Sequence, residues 1–123
     1  MLELSSLAKT WLIDIDGTLF RHNGYLTGKE ELLPGALAFI QAIPLTDCIV
    51  LVTARAPEYE AATLGALQSA GIRYDRILFG VPFGERILIN DAKPSGLQTA
   101  YAVNLVRDAG LPEFGALVKI VDK

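Results

Sequence analysis

Short apolar runs separated by stretches of helical pattern constrain this chain more than any other feature. Runs suited to strands fall at residues 10–15, 48–53, 76–79, 86–90 and 101–105, with helical patterns in the longer gaps. Strands alternating with helices predict a parallel, doubly wound sheet flanked by helices. The hydrophobic fraction of 51% agrees, because a sheet covered on both faces needs nearly continuous apolar strands. A chain of 123 residues has room for one such core, so residues 1–123 read as a single α/β domain.

The helices have start and stop signals. Pro34-Gly35 precedes an apolar-crowded helix at residues 36–43, and Pro44 should end it. Pro57-Glu58 opens a second helix, with proline suited to a first turn and glutamate to the positive helix end. This helix should run to Ala70 and be capped by Gly71. Pro94-Ser95 opens a short helical segment over residues 96–100, and the tail at 115–121 reads as an edge strand. Residues 21–30, polar and glycine-rich, lie between the first strand and first helix, either as a flap beside a site or as a surface connection.

Charge and composition exclude several partners. A net charge of −3 provides no basic field for a nucleic-acid backbone. The single cysteine, Cys48, lies inside an apolar run and reads as a buried thiol without a disulfide, which suits a reducing cytoplasm. The first residues lack the basic-then-apolar pattern of a signal peptide, and no apolar stretch reaches the ~18 to 20 residues of a membrane span, so a soluble protein is expected.

The chemistry lies at strand ends. Asp14 and Asp16 close the first apolar run, and strand alternation sends both carboxylates to one face or one loop mouth. Two acids there call for a cation between them, and Gly17-Thr18 permits a sharp turn that curls the backbone around a small anion. A plain strand-to-turn junction is the alternative. Thr53 ends the second run, where its hydroxyl either caps a helix or holds a phosphate oxygen beside free main-chain NH groups. Asn90-Asp91 ends the fourth run and should lie beside the first strand's end.

The string Asp14-Ile15-Asp16-Gly17-Thr18-Leu19 resembles the first motif of the haloacid dehalogenase superfamily, whose members are mostly magnesium-dependent phosphatases. Thr53 resembles the second motif and Asn90-Asp91 the fourth, in the required order and over roughly residues 10 to 105. The resemblance implies a Rossmann-like domain without a cap, since neither usual insertion point has room for one. It implies Asp14 as the nucleophile that accepts the phosphoryl group and Asp16 as the acid and base. Magnesium would be held by Asp14, the main-chain carbonyl of Asp16, and Asp91, with Asn90 as a second, neutral ligand. Thr53, Lys93 and main-chain NH groups at Gly17 and Ala54 would bind the transferring group.

The chain departs from the pattern at the third motif. Where similar small phosphatases carry Gly-Lys-Pro, this chain has Gly80-Val81-Pro82. Lys93 is the expected substitute, ahead of Arg55 and Arg86, and a solvated loop lysine is the other reading. His22 and Tyr25 stand in the flap as solvated residues or as contacts to a leaving group. The resemblance implies a small phosphorylated substrate, a sugar phosphate by the likeness of the strings at 90–96 and 101–105 to small bacterial phosphatases. The apolar surplus favours a homo-oligomer. A receiver domain fits poorly, because Thr53 stands where its phospho-accepting aspartate belongs. A relative that keeps the fold and has lost turnover along with the third-motif lysine is the stronger rival.

Overall fold

A computed structural model describes residues 1–121. Its central sheet has three parallel strands in the order β2-β3-β4: β2 (Thr10–Asp14), β3 (Cys48–Val52) and β4 (Arg76–Leu78). The register pairs Asp14 with Val52 and Val52 with Leu78, so the three carboxyl ends lie level. In open α/β sheets this is the edge where ligands bind. Strand β1 (Leu2–Leu4) pairs with β5 (Val118–Ile120), also in parallel, as a separate two-stranded sheet. The α/β class and parallel strands are therefore as expected, whereas the single sheet is corrected to two.

The core forms where β2 and β3 meet two helices. Ile13 and Ile15 pack with Ile49 and Leu51 against α2 (Ala36–Ala42), which contributes Ala36, Phe39 and Ile40. These positions, continued by Ile43, follow the helical i, i+3, i+4, i+7 spacing. Ile43 is already extended, as a residue before proline should be, so the helix stops one residue short of the expected bound. A 3-10 turn at Pro57–Tyr59 leads into α3 (Glu60–Ala70). Gly71 ends that helix at φ 74°, and the Gly71 and Ile72 NH groups bond back to the Gln68 and Leu67 carbonyls. This double bond pattern satisfies orphan carbonyls and brings buried Ile72 onto buried Leu67.

Two short helices complete the described structure: α1 (Gly24–Thr27) in the flap and α4 (Phe114–Leu117) before β5. Phe114 joins Trp11 and Phe39 in an aromatic cluster with centroid separations of 5.2–6.0 Å. Trp11 also donates Nε1–H to the buried Asp47 carboxylate at 2.9 Å, which removes the cost of an unpaired indole. Cys48, expected to be buried, is half-buried and free at the start of β3. Among the described residues, no helix is long and apolar enough to cross a membrane.

The expected strands at 86–90 and 101–105, and the helix at 96–100, are absent; residues 79–106 form neither helix nor strand. Topology supplies a reason for the first of them. Sheet order puts β4 at the opposite edge from β2, and only residues 79–85 connect it to residue 86. A parallel crossover takes a dozen residues or more. The apolar run at 86–90 consequently lacks a neighbouring strand, and Ile89 is 92% exposed.

The chain returns to the core through Gly110, which is buried at φ 86°, while Leu111 donates its NH to the Pro34 carbonyl at 2.9 Å. A Cβ on Gly110 would run into that same carbonyl oxygen. Gly96 has a similar φ of 87° with open space around it. Gly110→Ala should therefore cost about 2–3 kcal/mol from strain and collision together, and Gly96→Ala about 1 kcal/mol from strain alone. Urea unfolding of both variants checks this, and equal losses would contradict the collision.

Candidate active site

The turn after β2 builds the site's mouth. Pairing continues one residue past the strand, with Ile15 N–H donating to the Val52 carbonyl at 3.1 Å. The chain then folds tightly around the Ile15 carbonyl, which accepts from Thr18, Leu19 and Phe20 at 2.9–3.3 Å. Gly17 makes this possible at φ 83°, a conformation that disfavours a side chain. Asp14, the last residue of β2, and Asp16, in the turn beyond it, are thereby left at the level carboxyl ends.

Their surroundings differ sharply. Asp16 has a side chain only 16% exposed and is bonded at both oxygens. Thr53 donates its hydroxyl to Oδ2 at 2.8 Å, while Arg55 donates Nε–H to Oδ1 at 3.0 Å. Asp14, 34% exposed, faces the half-exposed Arg86 at 3.2 Å and has a long contact of 3.5 Å from the Thr18 hydroxyl. Burial pushes the Asp14 carboxyl above its ordinary range; the charge of Arg86 opposes this, and that of Asp16 adds to it.

Arg55 is the site's organising side chain, buried to 1% exposure. Beyond Asp16 it forms a fork with Glu30, Nη1 and Nη2 each donating to one carboxylate oxygen at 2.7 Å. Nη1 also donates to the Thr63 hydroxyl on α3 at 3.0 Å, and the Tyr25 ring stacks 4.1 Å from the guanidinium carbon. Burial opposes the Arg55 charge, but the bonds to Glu30 and Asp16 outweigh it and hold the guanidinium above its ordinary pKa. Sequence reasoning ranked Arg55 only as a weak stand-in for the missing lysine, and it gave Glu30 no role. The available signal was an arginine two residues past a strand end, in a chain whose next element is a helix.

The other expected site residues are distributed unevenly. Thr53 is fully buried where expected, but its hydroxyl is engaged with Asp16 and with the Arg55 N–H at 3.0 Å. Asn90, Asp91 and Lys93 lie on the exposed segment, where their bonds stay local: Asn90 donates to the Thr99 carbonyl, Thr99 to that of Asp91, and Gly96 to that of Lys93. Among the described residues, no three His, Cys, Asp or Glu side chains gather as a metal-holding group. Of the three cations considered, Arg86 is the one bonded to Asp14. Sequence reasoning missed the return of Asp108, whose NH donates to the Gly17 carbonyl at 2.9 Å while its carboxylate accepts from the His22 N–H at 2.8 Å.

Two depressions lie on different faces of α3. A half-open cleft of about 200 Å³ adjoins Arg55 and is lined by Tyr25, Tyr59, Ala62 and Ala66 among others. A shallower one of about 320 Å³ is lined by Leu64, Gln68, Ile72, Arg73 and Tyr74. Its lining holds no carboxylate, and Arg73 is turned to the Ile43 and Pro44 carbonyls. Comparison with protein-family models, curated proteins and solved structures returned no match.

Two outcomes follow from this electrostatic arrangement. Arg55→Ala leaves Asp16 and Glu30 without their partner and should destabilise the fold by about 3 kcal/mol, read as a lower midpoint in urea. Asp14, with its native pKa above the ordinary 3.8, keeps a proton that the unfolded chain has already released, so stability falls as pH rises through that window. Asp14→Asn removes this penalty. It should raise Tm at pH 7 and lose its advantage as the pH is lowered past the unfolded value; a gain independent of pH would contradict the assignment.

Proposed function

We propose that the chain is a phosphomonoester hydrolase of the haloacid dehalogenase type, a Rossmann-like domain without a cap that acts on a small phosphorylated metabolite. The observation that carries this reading is the pairing of Asp14 and Asp16 at the level ends of parallel strands, one carboxylate accessible and the other held at both oxygens. A nucleophile must reach phosphorus, and an acid-base group must be oriented toward the departing oxygen.

In this reading Asp14 attacks phosphorus through a carboxylate oxygen, and the bond to the leaving oxygen breaks as Asp16 donates a proton to it. Water, losing a proton to Asp16, then cleaves the aspartyl-phosphate and returns Asp14. Asp16 must be released from part of its present bonding to take these roles, and Thr53 and Arg55 are the groups it exchanges against. Arg86, already bonded to Asp14, is placed to balance charge on the transferring phosphoryl group, a task the sequence suggested for Lys93.

The donor set suits magnesium at Asp14 and Asp16. Asp14 carries a carboxylate whose charge is disfavoured by burial and by its neighbour, and is offset mainly by the partly exposed Arg86, with a main-chain bond from Ile15 adding to it. When bound, the ion supplies positive charge that lowers repulsion between carboxylate and phosphate. Asp91 belongs to the expected ligand set and would have to move to the pair. The apolar side chains exposed along the 83–106 segment support self-association, and the single free thiol supports a reducing cytoplasm.

The engagement of both Asp16 oxygens favours one second reading, a binding module that keeps the site without turnover. Hydrolysis of 4-nitrophenyl phosphate with magnesium separates the two. The enzyme reading expects steady turnover, none in Asp14→Asn, and a loss of roughly 100-fold or more in Asp16→Ala. A pure, folded, magnesium-loaded protein that is inert would exclude it.

A further inference from the structure

We propose that Arg107 determines specificity at the mouth of the site by binding a second anionic group, a carboxylate or a further phosphate, on the leaving part of the substrate. This deepens the phosphatase reading and rests on it. Where the chain returns to the core, the Arg107 side chain lies across Gly17. Its Cγ is 3.2 Å and its Nε 3.8 Å from the point that a Cβ on Gly17 would occupy. Glycine leaves that space clear, so the arginine rests directly on the turn that follows Asp14 and Asp16.

The backbone holds it there. Asp108 donates its N–H to the Gly17 carbonyl at 2.9 Å and stands at φ 63°, in the left-handed region that side chains disfavour. The Asp108 carboxylate also borders Gly17, but its Oδ1 accepts from the His22 main-chain N–H at 2.8 Å. The three arginines near the aspartates are therefore committed differently. Arg55 is buried, with donors on Asp16, Glu30 and Thr63, and Arg86 is bonded to Asp14. Arg107 is exposed and, among the described residues, has no hydrogen bond or ion pair from its side chain. Its planar fork of N–H donors suits a carboxylate or a phosphate.

Position selects which anion it meets. Arg86 stands at Asp14, the attacking group, and so faces the transferring phosphoryl. Arg107 stands at Gly17, the residue after Asp16, whose carboxylate would protonate the departing oxygen. Attacking and leaving oxygens lie roughly in line across phosphorus, so the leaving group is on the side away from Asp14. Arg107 consequently serves the leaving group's own substituents. The general field does not favour an anion there: the chain carries a net charge of −3, and Asp14, Asp16, Glu30 and Asp108 surround the mouth. An added negative charge is repelled unless a particular cation receives it, which makes such recognition attributable to one side chain.

Calorimetric titration in magnesium with propylphosphonate, 3-phosphonopropanoate and ethane-1,2-bisphosphonate tests this role. None is hydrolysed, and the terminal methyl of the first is replaced by a carboxylate in the second and a phosphonate in the third. One of the two dianionic-ended ligands should bind about 5-fold tighter than propylphosphonate, the size of an exposed ion pair, and the tighter one identifies the anion. Arg107→Gln should bring that ratio to about 1. Lys119→Gln, which removes the same charge from exposed β5 in the other sheet, should keep it. No preference in the parent, no binding of any of the three, a preference that survives Arg107→Gln, or an equal loss in Lys119→Gln overturns the role. Turnover of 4-nitrophenyl phosphate, whose leaving group has no second anionic substituent, decides the phosphatase reading separately. Turnover without the preference removes only the Arg107 role, whereas an Arg107-dependent preference in an inert protein retains the anion site while the phosphatase reading falls.

Discussion

The buried guanidinium of Arg55 is the interaction on which the upper surface of this fold depends. Removing a full charge from water is expensive, and only excellent geometry with several charged acceptors offsets it. Here the acceptors come from separate parts of the chain: Asp16 after β2, Glu30 at the end of the flap, and Thr63 on α3. Each must be in place before the charge is satisfied. The backbone beside Arg55 extends the arrangement, since the Arg55 and Thr53 carbonyls accept from Gly80 and Val81, fixing the chain as it leaves β4. One side chain thus ties the turn after β2, the end of the flap and α3 together at the carboxyl edge of the sheet, and the main chain beside it adds the exit from β4.

This lock gives the two aspartates unequal electrostatics. Asp16 receives a charged fork and a hydroxyl, whereas Asp14 has one partly exposed arginine and the repulsion of its neighbour. Identical side chains two residues apart are therefore surrounded differently by their partners, one held at both oxygens and one partly accessible. On the phosphatase reading, this contrast is what separates the nucleophile from the acid-base group. The division arises from the tertiary arrangement, and the Asp-x-Asp string alone does not contain it.

What could be read from the sequence was local. The helices at 36–42 and 60–70 were legible because proline, glycine and apolar spacing mark their ends and faces within a few residues. Strands β2, β3 and β4 were legible as dense apolar runs. Strand β1 escaped because a three-residue strand exists only through its partner, which lies at the far end of the chain. Helices α1 and α4 have four residues each, too few to display a period. Arg55 escaped for a different reason: arginine is rarely buried unless paired, and its pairs here are contributed by distant segments. The run at 86–90 shows the converse error, since apolar residues supply strand propensity but not a neighbouring strand.

The long segment between β4 and α4 is constrained chiefly at its ends. Its start is held by the Gly80 and Val81 bonds, and its return by Asp108 on Gly17 and Leu111 on Pro34. Between these anchors, Arg86 reaches Asp14 through an ion pair exposed on both sides, a class of contact that contributes little stability. The weak tether and the strong ones therefore have different consequences. The strong bonds keep the segment's two ends around the aspartates, one beside Thr53 and the other beside Gly17, while the weak one can be exchanged without disturbing the core. On the phosphatase reading, an anion arriving at Asp14 meets Arg86 as a partner already positioned and cheaply released, which makes this contact the point where the fold would yield to a ligand.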